Sequence, residues 1–249
     1  MILGVSIALD LWTAAALAAV LLGGFVRGLV GFGSALAMVP VLALVFGPRA
    51  AVAMHAIIEI PVILSLLPTA VRDAERRTVA PMLLALLLTT PVGALVLSQT
   101  DPGWMRVAIS VVVLLMVLIL SLQGRFNLFV GRIGTYGAGG IGGFVQGATG
   151  LGGPPVVAAL LARGDLAATA RGNVITVMSS MIALTVLLFA AYGLVTREVL
   201  VLGTLAAPFC LLGSLLGARA FRLLKSGLFR PIVLAVLSVS ALASLFAGA

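Results

Sequence analysis

Two stretches of the sequence repeat one another: GGFVRGLVGFGSALAMV at residues 23–39 and GGFVQGATGLGGPPVVA at residues 142–158. Five glycines of the first stretch, at positions 23, 24, 28, 31 and 33, fall on glycines of the second. Weaker matches follow, such as His55 with Asn173, Pro91 with Pro208, and GWMR at 103–106 with GLFR at 227–230. These matches predict two homologous halves, about 1–125 and 126–249, packed together as one transmembrane domain over 1–249.

The composition indicates a membrane protein. Of the 249 residues, 62% are hydrophobic and 9% are charged, whereas soluble domains carry about 25% charged residues. The interior of a bilayer leaves backbone polar groups without water, so the apolar segments are predicted to be α-helices. Each half contains five such segments, about 5–30, 34–47, 50–70, 79–99 and 104–123 in the first, and 132–148, 153–163, 168–193, 198–219 and 228–248 in the second.

The positive charges predict the topology. Five segments per half would invert the second half, giving two inverted repeats with both termini on the extracytoplasmic side. Cytoplasmic loops are enriched in lysine and arginine, and this topology leaves only Arg49, Arg106 and Arg197 outside. The cytoplasmic side receives Arg72, Arg76, Arg77, Arg125, Arg132, Arg163, Arg219, Arg222, Lys225 and Arg230. The charges do not distinguish a glycine-linked pair that crosses twice from one that dips in and returns.

The duplicated glycine motif has two interpretations. Small residues allow helices to pack closely, and glycines at breaks in helices leave backbone N–H groups and positive helix ends free to bind anions. The short spacings and the following Pro154 and Pro155, which suit a first helical turn, favour breaks. The motif residues expected to bind substrate are Gly31, Gly33, Ser34, Gly150, Gly152 and Gly153.

Polar side chains inside apolar segments add candidate site residues. Arg27 precedes the first break and Gln146 is its counterpart; Arg27 is expected to face an anion, unless it reaches the interface or pairs with Glu59. His55 and Glu59 are four residues apart and share one helix face, and Asn173 is taken as the counterpart of His55. Histidine, or a desolvated glutamate, can carry a coupling proton.

Other chemistry is not expected. The net charge of +8 is scattered over short loops without a basic domain, which argues against a nucleic-acid partner. The single cysteine, Cys210, allows no internal disulfide. No metal site, cofactor or catalytic residue is predicted, and the protein is not expected to be an enzyme.

The duplicated G-F-V-x-G-x-x-G-x-G pattern at 24–33 and 143–152 resembles the TauE/SafE sulfite exporter family, also called TSUP. The resemblance covers nearly the whole chain. It implies a proton-linked secondary carrier of sulfite or organosulfonates in a bacterial inner membrane. The first copy departs from the fuller pattern, because Ser34-Ala35 stands where the second has Gly153-Pro154.

The expected function is proton-linked alternating access for a small anion around a site between the repeats. The expected partners are that anion, protons and the lipid bilayer, with a homodimer as an open option. A passive anion channel would use the same positive helix ends, and a membrane scaffold would need the glycines only for packing; both remain alternatives.

Overall fold

A computed structural model of the protein describes residues 11–122 and 131–223. Within these residues the chain forms ten helices and no strand. The helices are α1 (Leu11–Val30), α2 (Ser34–Phe46), α3 (Pro48–Ile58), α4 (Ile60–Asp73), α5 (Arg76–Gln99), α6 (Pro102–Leu122), α7 (Gly131–Thr149), α8 (Gly153–Leu161), α9 (Ala167–Ala191) and α10 (Arg197–Leu223). The chain breaks at 31–33 and 150–152, where the sequence predicts it.

The surface of the bundle is apolar. Large hydrophobic side chains such as Leu88 on α5 and Leu212 on α10 are exposed, which is costly in water but favourable in lipid. In the described part, four helices (α1, α5, α9 and α10) are long and apolar enough to cross a membrane, or five spans if α3 and α4 count as one. The protein is therefore an all-helical membrane protein.

The predicted segments match these helices closely, with one correction. The segment predicted over about 50–70 is two helices, α3 and α4, bent by 46° at Glu59. Pro61 lies in the first turn of α4, where a missing N–H costs least, so the proline is the local cause of the bend. The segment predicted at 228–248 lies outside the described residues.

Helices α1 and α10 pack backbone against backbone through glycines. A Cβ atom added at Gly24 would overlap the carbonyl of Cys210, and one added at Gly28 would overlap that of Ser214. Residue numbers increase together along both helices, so α1 and α10 are parallel. Such close approach requires small residues, as in membrane helix dimers.

Helices α7 and α5 repeat this arrangement. Cβ atoms added at Gly143 and Gly147 would overlap the backbone at Leu86 and Thr90, respectively. Gly143 and Gly147 lie 119 residues after Gly24 and Gly28. The positions they contact on α5, 86 and 90, lie 124 residues before the positions contacted on α10, 210 and 214. An offset of 124 also aligns the last residue of α5, Gln99, with the last residue of α10, Leu223. The alignment of Pro91 with Pro208, an offset of 117, is therefore wrong.

The two glycine-linked pairs are hairpins. Gly152 lies against Gly142 and Gln146, and Ser34 lies beside Gly23, so the chain folds back after each break. Helix α2 is about 20 Å long and α8 about 14 Å at 1.5 Å per residue, too short for the ~30 Å of a hydrocarbon core. Each hairpin thus returns to the end of the bundle from which it starts.

The bundle has two different ends. One end, called the arginine-rich end here, carries Arg72, Arg76, Arg163 and Arg222. At this end Gly172, near the start of α9, lies against Asp73 at the end of α4. At the cavity end, Gly47 before α3 and Gly193 after α9 line one cavity. The α3–α4 pair and α9 therefore run antiparallel. The hairpin α1–α2 enters from the cavity end, and the hairpin α7–α8 enters from the arginine-rich end.

Candidate functional site

The tips of the two hairpins meet inside the bundle. They enclose a cavity of about 20 Å³, enough for one water-sized group. Gly33 and Gly150 line it, with φ of 90° and 75°, and only glycine adopts such values readily. The lining residues are Arg27, Phe32, Gly33, Ser34, Ala35, Leu36, His55, Gln146, Gly150, Leu151, Gly153, Pro154, Met178 and Ile182.

Arg27 is the cation of the site and is 1% exposed. Its Nε lies 3.1 Å from Oε2 of Glu59, its Nη1 donates to the carbonyl of Gly31, and its Nη2 donates to Ser179 Oγ at 3.4 Å. The guanidinium therefore joins α1 to the α3–α4 bend and to α9. A buried charge requires such a partner, and here the partner is a single carboxylate.

Glu59 and His55 form the titratable part of the site. Glu59 is fully buried at the α3–α4 bend, and its Oε1 lies 3.8 Å from Nε2 of His55. The same Nε2 lies 3.2 Å from Ser34 Oγ, at the start of α2. Neither carboxylate oxygen accepts a hydrogen bond from the described residues. The carboxylate therefore depends on ionic contact with Arg27 and His55.

Besides Arg27 Nε, which is ion-paired with Glu59, two buried nitrogens of cavity-lining residues have no hydrogen-bond partner among the described residues: Gln146 Nε2 and His55 Nδ1. An orphaned buried polar atom is costly, so each is suited to receive a ligand. No side chain caps α2 or α8. However, Pro154 and Pro155 have no N–H to donate, so α2 offers more backbone donors than α8.

The family described as sulfite exporter TauE/SafE matches residues 16–244. The chain belongs to this family. The match covers both glycine breaks and every residue that lines the cavity between them, and it confirms the resemblance carried by the duplicated glycine pattern. No curated protein and no solved structure matches the chain. As a TauE/SafE member, the protein belongs to a family of membrane transporters and not of enzymes.

In this TauE/SafE protein, most of the substrate-binding residues predicted from the sequence line the cavity. Gly31 does not line it: its carbonyl accepts a hydrogen bond from Arg27, and a Cβ atom added at Gly31 would contact Ile175. Gly152 does not either, because its N–H donates to Gln146 Oε1 at 3.2 Å. The predicted residues that do line the cavity are Arg27, Gly33, Ser34, His55, Gln146, Gly150 and Gly153.

Asn173 lies away from the cavity, at the arginine-rich end. Its Oδ1 accepts a hydrogen bond from the N–H of Glu75 at 2.7 Å. A different α9 residue, Ser179, reaches the Arg27–Glu59 pair, because it accepts a hydrogen bond from Arg27 Nη2 at 3.4 Å. Sequence reasoning missed Ser179 because nothing in the isolated sequence shows that this serine lies within reach of Arg27.

Apolar walls close the site in the TauE/SafE protein. Phe32 from the first break and Met178 from α9 flank the cavity, and both are buried. Nothing in the isolated sequence distinguishes these side chains from ordinary core residues. The Arg27–Glu59 pair is itself almost fully buried, and electrostatic interactions are stronger in such an environment than in water.

Proposed function

We propose that the protein is a secondary active transporter of a small anion, sulfite or an organosulfonate, that works by proton-linked alternating access. The observation that carries the proposal is the buried Arg27, held where two hairpin tips meet and opposed by one carboxylate. A bound anion can take the place of that carboxylate. The family supports the substrate class, and a bacterial inner membrane is the proposed location.

The proposed architecture is two inverted repeats. The equivalent elements α3–α4 and α9 run antiparallel, and the glycine-packed pairs α1–α10 and α7–α5 correspond to one another at constant offsets. A two-fold axis in the membrane plane accounts for both features and is common among secondary transporters. Alternating access would then exchange the conformations of the two hairpins around the shared site.

The proposed orientation has the arginine-rich end in the cytoplasm. Among the described residues, Arg49, Arg106 and Arg197 lie at the cavity end. The other end carries Arg72, Arg76, Arg77, Arg132, Arg163, Arg219 and Arg222. This distribution agrees with the positive-inside rule. Because α1 is parallel to α10, it starts from the cavity end, which supports an extracytoplasmic N-terminus.

Proton coupling is proposed to work by competition at Arg27. Without substrate, the Glu59 carboxylate neutralises the guanidinium at 3.1 Å. Protonation of Glu59 removes that interaction and leaves Arg27 free to bind an anion in its place, so the anion and the proton occupy the site together. His55, 3.8 Å from Glu59, is placed to pass the proton to the carboxylate.

Transport of labelled sulfite into liposomes tests this function. Purified wild-type protein should give saturable uptake with counterflow exchange, as a carrier does and a passive channel does not. Arg27→Ala and His55→Ala should reduce uptake by at least about tenfold, as expected for loss of charge-assisted contacts. Arg106→Ala, an exposed arginine on α6, is the matched control and should transport normally. Unchanged uptake in both site variants would refute the assignment.

A further inference from the structure

The arginine-rich end is closed by a polar network between the two halves. Arg163, just after α8, contacts Oε2 of Glu75 at 3.3 Å and Oδ2 of Asp165 at 3.5 Å. Asn173 accepts from the N–H of Glu75 at 2.7 Å and donates to Asp165 at 3.4 Å. Thr78 donates to the same Glu75 oxygen at 2.6 Å. The turn between α4 and α5 is thereby fastened to the segment between α8 and α9.

The cavity end is open at the corresponding place. A cavity of about 400 Å³ lies between the turn that joins α2 to α3 and the turn that joins α9 to α10. Arg49, in the first turn of α3, and Glu198, in the first turn of α10, both line it. No ion pair of the described residues joins them; Arg49 donates instead to the carbonyl of Thr100 at 2.7 Å. Each end thus carries an arginine and a glutamate. Among the described residues, they form an ion pair at the arginine-rich end and do not at the cavity end.

We propose that these charges form two reciprocal gates: the Arg163–Glu75 pair closes the arginine-rich end in this structure, and Arg49–Glu198 closes the opposite end when the first pair separates. The inference rests on the proposed transport function. The first gate connects the segment after α8 to the turn before α5, and the second would connect the start of α3, just after α2, to the first turn of α10. If the two hairpins exchange conformations, as proposed above, one gate opens as the other closes.

The strength of the network suits a gate. The side chains of Arg163 and Glu75 are 38% and 43% exposed, and exposed ion pairs are individually weak. Breaking one should therefore change the balance between the two states only a few-fold. A carrier needs such a balance, because it must occupy both states in each transport cycle.

Cysteine cross-linking tests the gates directly. In a Cys210→Ala background, one protein carries Glu75→Cys and Arg163→Cys, and another carries Arg49→Cys and Glu198→Cys. Without substrate, the first pair should react with a short thiol cross-linker faster than the second. A protein with all four cysteines should form either link but not both in the same molecule. Simultaneous formation of both links would overturn the proposal.

A charge variant provides a second, independent measurement. Arg163→Gln should raise the cross-linking rate of the 49–198 pair about 2- to 5-fold, the change expected from losing one exposed ion pair. Arg72→Gln, an exposed arginine on α4 outside the network, should leave that rate unchanged. Equal rates in Arg163→Gln and its parent would overturn the gate. Neither measurement requires an anion, so a failure of sulfite uptake would refute the substrate proposal and leave the gates intact.

Discussion

Replacing Glu59 by glutamine is the sharpest test of the site. Arg27 and Glu59 lie 3.1 Å apart and are at most 1% exposed, so the pair is shielded from water. Removing one member of a buried pair costs about 3–5 kcal/mol, because the other charge is left uncompensated. We therefore expect Glu59→Gln to lower the melting temperature by about 6–20 °C.

The direction of the anion effect distinguishes this site from an ordinary structural ion pair. No acidic side chain other than Glu59 forms an ion pair with Arg27 among the described residues, so in Glu59→Gln a bound anion can supply the missing counter-charge and sulfite should restore stability. Ligand at 100 times its Kd stabilises by about 2.7 kcal/mol, enough to recover much of the loss. Wild-type protein should respond less, because its own carboxylate must first be displaced.

The double variant Arg27→Gln, Glu59→Gln is the control. Removing both charges together leaves no uncompensated ion, so its stability should approach that of wild type, and sulfite should have no effect on it. The assay is a thermal melt in detergent with sulfite or an equal concentration of chloride. If sulfite stabilises the single and the double variant equally, Arg27 is not the anion-binding residue and the reasoning fails.

The remaining predictions concern packing, positioning and pH. Gly147→Ala should destabilise by about 1–3 kcal/mol in a melt, because its Cβ would overlap the Thr90 carbonyl; Gly137→Ala on the same helix, with open space at its Cβ, should not. Ser179→Ala should raise the KM for sulfite about 2- to 10-fold by removing a hydrogen bond to Arg27, whereas Ser180→Ala, which loses only a bond to its own helix, should not. A hydrogen bond from Thr78, together with Arg163, holds the pKa of Glu75 below its ordinary 4.5. The folded-state pKa is depressed, so the carboxylate's contribution to the gate is present above about 4.5 and lost as the pH falls through the lowered pKa. The 49–198 cross-linking rate in Arg163→Gln, divided by the rate in its parent, should therefore stay constant across about pH 6–8. In acid the parent also loses the ion pair, so this ratio should approach one.

The glycine motif shows how much of the fold could be predicted from the sequence. Close helix packing and helix breaks both occur in the motif, but at different glycines. Gly28 and Gly147 allow two helices to touch backbone to backbone, while Gly33 and Gly150 adopt positive φ at the breaks. Spacing separates the two groups, because residues four apart share a helix face and residues two apart do not. The positions of both breaks could therefore be predicted.

Other features depend on packing that one sequence does not reveal. The α3–α4 bend at Glu59 has a local signal in Pro61, but many membrane helices carry a proline without breaking. The contact of Arg27 with Glu59 could be anticipated only as one of three environments for that arginine. Matching letters paired His55 with Asn173, but the structure places His55 at the cavity and Asn173 at the arginine-rich end. Contacts across the bundle were needed to identify Ser179.

Among the described residues, the charges of the site occur once although the glycine contacts occur twice. Gln146 corresponds to Arg27 at the offset of 119, and α9, the proposed equivalent of α3–α4, contains no acidic residue. A second Arg–Glu pair at the same place would bring like charges together in a dry cavity, which is costly. The first half therefore supplies the charged side chains of the site, and the second half supplies neutral donors. With one guanidinium and one competing carboxylate, the competition proposed at Arg27 binds one proton together with one anionic charge, so under that proposal a monovalent anion would cross without net movement of charge.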